Sequence, residues 1–165
     1  MENTLFIVTC VATCIAAFSA LATCFISGGI AIHQINSTNI NLCNERYTKI
    51  LKDIKISILT KDYENFKSSC GELFDLQGHQ YLLWNDWCLP NKIFKYWINT
   101  NSKKFQNIIF TDEDGKETSL KDVWNENKSS HEAPTNSYFI ECMDYILAQN
   151  IKKIKRHISY FLPKR

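Results

Sequence analysis

The chain has 165 residues, 45% of them hydrophobic and 13% aromatic, with 19 Lys/Arg against 17 Asp/Glu for a net charge of +2. That length suits one folded domain plus an N-terminal extension, and the near-balance of charge gives no global signal for a polyanion partner. The seven cysteines form no CxxC pair and no dense framework. They read as reduced thiols serving as small hydrophobes, with one or two disulfides in an oxidising compartment as the alternative.

Residues 5–32 carry no charge over 28 positions, and twelve of them are bulky and apolar. As a helix the run would measure roughly 42 Å, enough to cross about 30 Å of hydrocarbon with tilt. A cleaved signal peptide needs a positive start and a short apolar core. Here only Glu2 precedes the run, although Ala20-Leu21-Ala22 resembles a cleavage site. The expectation is one transmembrane helix over 5–32, after a short external N-terminus over 1–4.

No Lys or Arg precedes the span, whereas Arg46, Lys49, Lys52, Lys55 and Lys61 follow it. The positive-inside rule then places the N-terminus outside and the C-terminal part in the cytoplasm, at a plasma membrane. The sequons at Asn36 and Asn127 would go unused. Ala12, Ala16, Ala20, Cys24 and Gly28 recur every four residues, a stripe that lets helix backbones approach closely. Sixteen of the 28 residues are small, so such a stripe also arises by chance about one time in five.

Residues 33–43 are polar and Asn-rich, a juxtamembrane segment that either continues the helix or links it to a cytoplasmic helical domain over 44–165. Tyr47, Ile50, Leu51, Ile54 and Ile58 predict a helix over about 44–59. Its lysines either face solvent or meet anionic headgroups. Thr60 or Asp62 can cap a second helix, whose apolar face runs through Phe66, Cys70, Leu73, Phe74, Leu76, Gln77, Tyr81 and Trp84, with Gly78 as a weak point. Pro90 restarts a short helix with Leu89, Ile93 and Trp97 on one face.

The stretch 74–97 holds three of the four tryptophans. The phasing makes it two core faces meeting across the turn at 85–90, and leaves Trp87 outside as the candidate partner-binding aromatic. Residues 107–119 predict a β-hairpin around Asp114-Gly115. An EF-hand is excluded, because with Gly115 at the sixth position the first ligand would be Phe110 and the last Lys121. Ser119 caps a short helix through Val123 and Trp124. Ile140, Met143, Leu147, Ile151, Ile154, Ile158 and Phe161 then predict one long helix, capped by Asn136 or Ser137 and ended by Pro163.

The second half of that helix is basic. Lys152, Lys153, Lys155 and Arg156 are candidates for an anionic lipid or nucleic-acid surface, beside the plain alternative of a solvated face. A third option pairs the tail with the acidic segment of Asp112, Glu113, Asp114, Glu117, Asp122 and Glu126. The nucleotide-binding, hydrolase and metalloprotease signatures are missing. Cys70, His79 and Cys88, spaced by nine, match no structural zinc pattern. A thiol nucleophile at Cys70 or Cys88 with His79 as base competes with buried thiols and a surface histidine. The reading is non-enzymatic, with no cofactor and no metal.

The lone span, the Tyr- and Lys-bearing helix, LFDLQGHQYLLW (73–84) and LPNKIFKYW (89–97) together resemble small bacterial single-span membrane proteins, some encoded near anti-phage and abortive-infection systems. The resemblance covers about residues 1–98 and assigns no functional residue. It implies a mostly helical, cytoplasm-facing membrane protein, with defence as a setting. The expected fold is mainly α, with one N-terminal transmembrane helix, a small helical cytoplasmic domain and a hairpin near 107–119. The expected role is an effector or accessory protein at the inner membrane. Its partners would be the bilayer, a second copy through the span and a cytoplasmic protein. A tethered module that binds protein, lipid or nucleic acid through 74–97 or the basic C-terminal helix is the alternative.

Overall fold

The structure, a computed structural model, describes residues 2–86, 88–128, 137–150, 152, 153 and 156, with side chains from Thr13 and from Ile15 onward. It is mainly α-helical. Helix α1 runs Glu2–Thr60, α2 Tyr63–Asn85, α3 Asn91–Lys104, α4 Leu120–Asn127 and α5 Ser137–Leu147. A two-stranded antiparallel sheet, β1 Ile109–Thr111 and β2 Glu117–Ser119, lies between α3 and α4. Residues 33–43 are helical throughout, which settles the choice between continuation and linker.

The chain divides into two units, Met1–Thr38 and Asn39–Arg165. The first is a helix whose large apolar side chains are open, including Phe18 at 74% and Phe25 at 79% exposure. It is long and apolar enough to cross a membrane, and none of its apolar window is buried. The second unit takes in residues 39–43 as well, because Ile40 packs on its core and Cys43 is buried.

The core of the second unit is aromatic. Seven positions of the predicted α2 face, Phe66, Cys70, Leu73, Phe74, Leu76, Tyr81 and Trp84, are buried among the hydrophobics, and Gln77 is buried beside them. Trp124 of α4 is fully buried edge-on to Phe74, with centroids 5.0 Å apart, and lies 5.9 Å from Phe139 of α5. Trp84 stacks on Phe94 of α3 at 4.6 Å and 8° from parallel. Such rings bury 150–250 Å² each, so a few of them fill a small core. Gly78 does not break α2. It admits the Phe139 ring, to which a Cβ would come within 3.4 Å.

Local chemistry fixes the turns. Asp62, not Thr60, caps α2, its Oδ1 accepting from the Asn65 N–H at 3.0 Å. Pro90 stands at the N-cap of α3, one residue before the first helical position expected for it. The hairpin register pairs Phe110 with Thr118. The five-residue loop between the strands carries Gly115 at φ 79°, a left-handed position that glycine occupies without a Cβ clash. Ser119 and Asp122 form a full capping box on α4.

The C-terminal helix departs from the expectation. α5 stops at Leu147 instead of running on through residue 161. Gln149 turns to φ 52°, its N–H reaches the Ile146 carbonyl, and the Asn150 N–H reaches Tyr145. These two bonds are the Schellman pattern, which satisfies carbonyls that the next turn of helix would otherwise use. Gln106 Nε2 donates to the Leu147 carbonyl at 2.8 Å. Ile151, Ile154, Ile158 and Phe161 lie outside the described residues.

Candidate functional site

A cavity of about 170 Å³ opens between α1, α2 and α3 of the second unit. Asn44 and Tyr47 come from α1, Gln80 from α2, and Tyr96, Trp97, Thr100, Asn101 and Lys104 from α3. The α3 members follow helical spacing, so one face of a single helix forms most of the wall. Among the described residues the lining holds three carboxamides, three aromatic rings, the Thr100 hydroxyl and one cation, and no carboxylate.

Helix α3 builds this wall by breaking its own apolar pattern. The stripe Ile93–Trp97 continues onto Asn101, which is buried at 5% exposure. Gln77 and Gln80 on the facing side are buried at 5% and 3%. Buried amides persist when they are hydrogen-bonded, and these form a chain. Asn101 Nδ2 donates to Gln77 Oε1 at 3.2 Å, and Gln77 Nε2 donates to Gln80 Oε1 at 2.9 Å. Gln80 also hydrogen-bonds the Cys43 side chain, although burial of that thiol outweighs the bond and raises its pKa.

Tyr47 is the exception to this pairing. Its hydroxyl is buried and has no hydrogen-bond partner among the described residues. Burial pushes the phenol up to about 12, so it stays a neutral donor. The Lys104 ammonium lies 5.5 Å from the centre of the Tyr47 ring, a cation–π geometry that holds positive charge at the cavity. A shallower groove shares Asn44 and is lined by Glu45, Thr48, Lys49 and Lys52.

The residues singled out in the sequence fall elsewhere. Ala16, Ala20, Cys24 and Gly28 lie exposed on α1, and Gly28 has open space where a Cβ would be. The Ala12 side chain, Trp87 and Lys155 are outside the described residues. Lys152, Lys153 and Arg156 are exposed, and Lys153 Nζ sits 5.3 Å from the Tyr145 ring centre. Glu126 pairs with Lys67 of α2 at 2.8 Å, and Asp122 serves the α4 cap. Asp112 closes the hairpin loop, its Oδ1 accepting the Lys116 N–H at 2.8 Å.

Thiol chemistry is not assembled at Cys70. It is fully buried, and desolvation pushes its pKa up to about 12, while His79 is exposed. Cys142 is driven to about 12 by the same cause, with the Glu141 charge adding to it. The sequence does not show the cavity, because Tyr47 falls on an apolar stripe and Gln80 and Asn101 on no recognisable motif. An amide four residues after Trp97 on the same stripe was the available signal.

No known protein family, curated protein or solved structure matches the chain.

Proposed function

We propose that the chain is a membrane-anchored, non-enzymatic accessory or effector protein of the bacterial inner membrane, whose cytoplasmic unit recognises a partner. The observation that carries this is the open apolar surface of α1. Seven large side chains between Ile15 and Ile32 stand 54–79% exposed, with no charge among them. In a bilayer they contribute about 2–4 kcal/mol at the translocon-scale value per residue, whereas in water that surface would drive aggregation. The lysines that follow the span support a cytoplasmic C-terminus. The resemblance to small membrane proteins near anti-phage systems supports defence as the setting.

Membrane fractionation tests the reading. The full chain should stay in the membrane pellet through an alkaline carbonate wash, and Leu21→Arg with Ile26→Lys should release it. Wild-type chain in the carbonate supernatant would overturn the anchor. For orientation, a membrane-impermeant thiol reagent should label Cys88 only after the cells are opened. The effector version predicts depolarisation on expression, lost when Ala16, Ala20 and Gly28 are made bulky. Retained depolarisation would remove the packing stripe from the proposal.

A second reading, a tethered binding module, is favoured by the polar cavity around Tyr47.

A further inference from the structure

We propose that the outer face of α3 binds single-stranded nucleic acid, with Lys92, Lys95 and Lys103 on the phosphates and Tyr96 stacked on a base. The proposal rests on the reading that the second unit recognises a partner, and it names the class of that partner.

Charge comes first. From residue 87 to residue 111 the chain carries four lysines and no acid. All four, Lys92, Lys95, Lys103 and Lys104, sit on α3 and are exposed. Among the described residues Lys92, Lys95 and Lys103 form no ion pair. A helix that keeps one sign of charge unneutralised along its length draws a partner of the opposite sign.

Spacing then sets the size of that partner. Lys92, Tyr96, Asn99 and Lys103 follow one another by 4, 3 and 4 residues, so they form one stripe along α3. The stripe is about 16 Å long at the helical rise. A lone phosphate would meet one of its lysines, whereas a chain of phosphates meets them all. The positive surface also continues onto α1. Asn44 lines both the cavity beside Lys104 and the groove that holds Lys49 and Lys52, next to one acid, Glu45.

The uncharged side chains choose among polyanions. Tyr96 stands 65% exposed in the middle of the stripe. An open ring between cations is a platform on which unpaired bases stack. Bases inside a duplex offer no free face to it. Asn99 is an exposed amide that can donate to and accept from a base edge. A bilayer fits less well, because the apolar face of α3, with Phe94, Trp97 and Ile98, is buried in the core and cannot enter lipid.

The test is fluorescence anisotropy of a labelled 12-nucleotide oligothymidylate against the full chain in non-ionic detergent, over a salt series. Binding at about 1–100 µM is expected at physiological salt, with log K falling against log salt at a slope of about −2 for three phosphate contacts. Lys92→Ala and Lys103→Ala should each make that slope shallower by about 0.7, and Lys121→Ala on α4 should leave it unchanged. Tyr96→Ala should weaken binding about five- to tenfold without moving the slope. Both kinds of variant alter exposed side chains, and circular dichroism should stay native.

No anisotropy change up to about 100 µM chain at physiological salt, the weak end of such binding, would overturn the proposal. So would a slope unmoved by Lys92→Ala and Lys103→Ala. Displacement by a 12-residue oligoglutamate, or by phosphatidylglycerol in mixed micelles, as readily as by unlabelled oligothymidylate would give the face to an acidic protein or to lipid instead. A duplex bound as tightly as the single strand, with Tyr96→Ala silent, would refute the stacking. Fractionation reads the anchor separately, so failure of either proposal is recognisable without the other.

Discussion

Lys61 and Gln149 share one backbone conformation, φ 55° and 52°, and each stands one residue before an Asp or Asn whose side chain accepts the backbone N–H three residues on. After Lys61, Asp62 Oδ1 accepts from the Asn65 N–H. After Gln149, Asn150 Oδ1 accepts from the Lys153 N–H at 3.1 Å. The backbone bonds match as well. Asp62 N–H reaches Ser57 and Lys61 N–H reaches Ile58, as Asn150 reaches Tyr145 and Gln149 reaches Ile146. The same two-residue device therefore closes both helices, α1 and α5.

Neither left-handed residue is glycine, so both positions carry a Cβ penalty. Lys61→Gly and Gln149→Gly should each stabilise the fold by about 0.5–1 kcal/mol. Lys61→Val should destabilise it by at least as much. Urea unfolding of the detergent-solubilised chain reads this, and a destabilised glycine variant would refute the strain argument.

Gly78 faces Phe139 at a distance where a methyl group makes ordinary van der Waals contact. Gly78→Ala should therefore be neutral or stabilising by up to about 1 kcal/mol, from helix propensity. Gly78→Leu should destabilise by about 1–3 kcal/mol through overpacking against the Phe139 ring. Equal thermal midpoints for the two variants would show that α2 and α5 are not closely packed there.

The α4 capping box carries a pH dependence of known sign. Hydrogen bonds from the Ser119 hydroxyl and N–H, at 2.6 and 2.8 Å, hold the Asp122 carboxyl below its ordinary 3.8. A lowered folded pKa contributes stability that is complete above the ordinary value and fades as pH falls through the lowered one. Ser119→Ala should cost about 1 kcal/mol at neutral pH. Asp122→Asn should flatten the part of the acid limb below pH 3.8. An unchanged acid limb in Asp122→Asn would count against the box.

Thiol reactivity should follow burial. Cys70 and Cys142, with thiols pushed up to about 12, should stay unmodified by iodoacetamide at mildly alkaline pH in the native state. Cys88, partly exposed, should react first among the cysteines of the second unit. Peptide mass mapping after timed alkylation gives the order, and early labelling of Cys70 would contradict its packing.

Local rules carried much of the fold. The α2 face from Phe66 to Trp84, the Asp-Gly hairpin and the Ser119 cap were legible because periodicity 3.6, a left-handed turn glycine and an N-cap hydroxyl are short-range signals. The break at Gln149 was not legible. The apolar stripe continues through it, and no Gly or Pro marks the place. Tertiary bonds such as Gln106 to the Leu147 carbonyl help end the helix there.

The site divides in the same way. By itself the sequence determined that residues 5–32 form an uncharged apolar helix and that Phe74, Tyr81, Trp84, Leu89 and Trp97 are core, since both follow from composition and phase along one segment. Only the tertiary structure decided that Tyr47, Gln80, Asn101 and Lys104 share a cavity. They come from three helices, and each was locally indistinguishable from a core or surface residue. An unpaired buried hydroxyl is a property of what surrounds it, and those surroundings exist only once α1, α2 and α3 have packed.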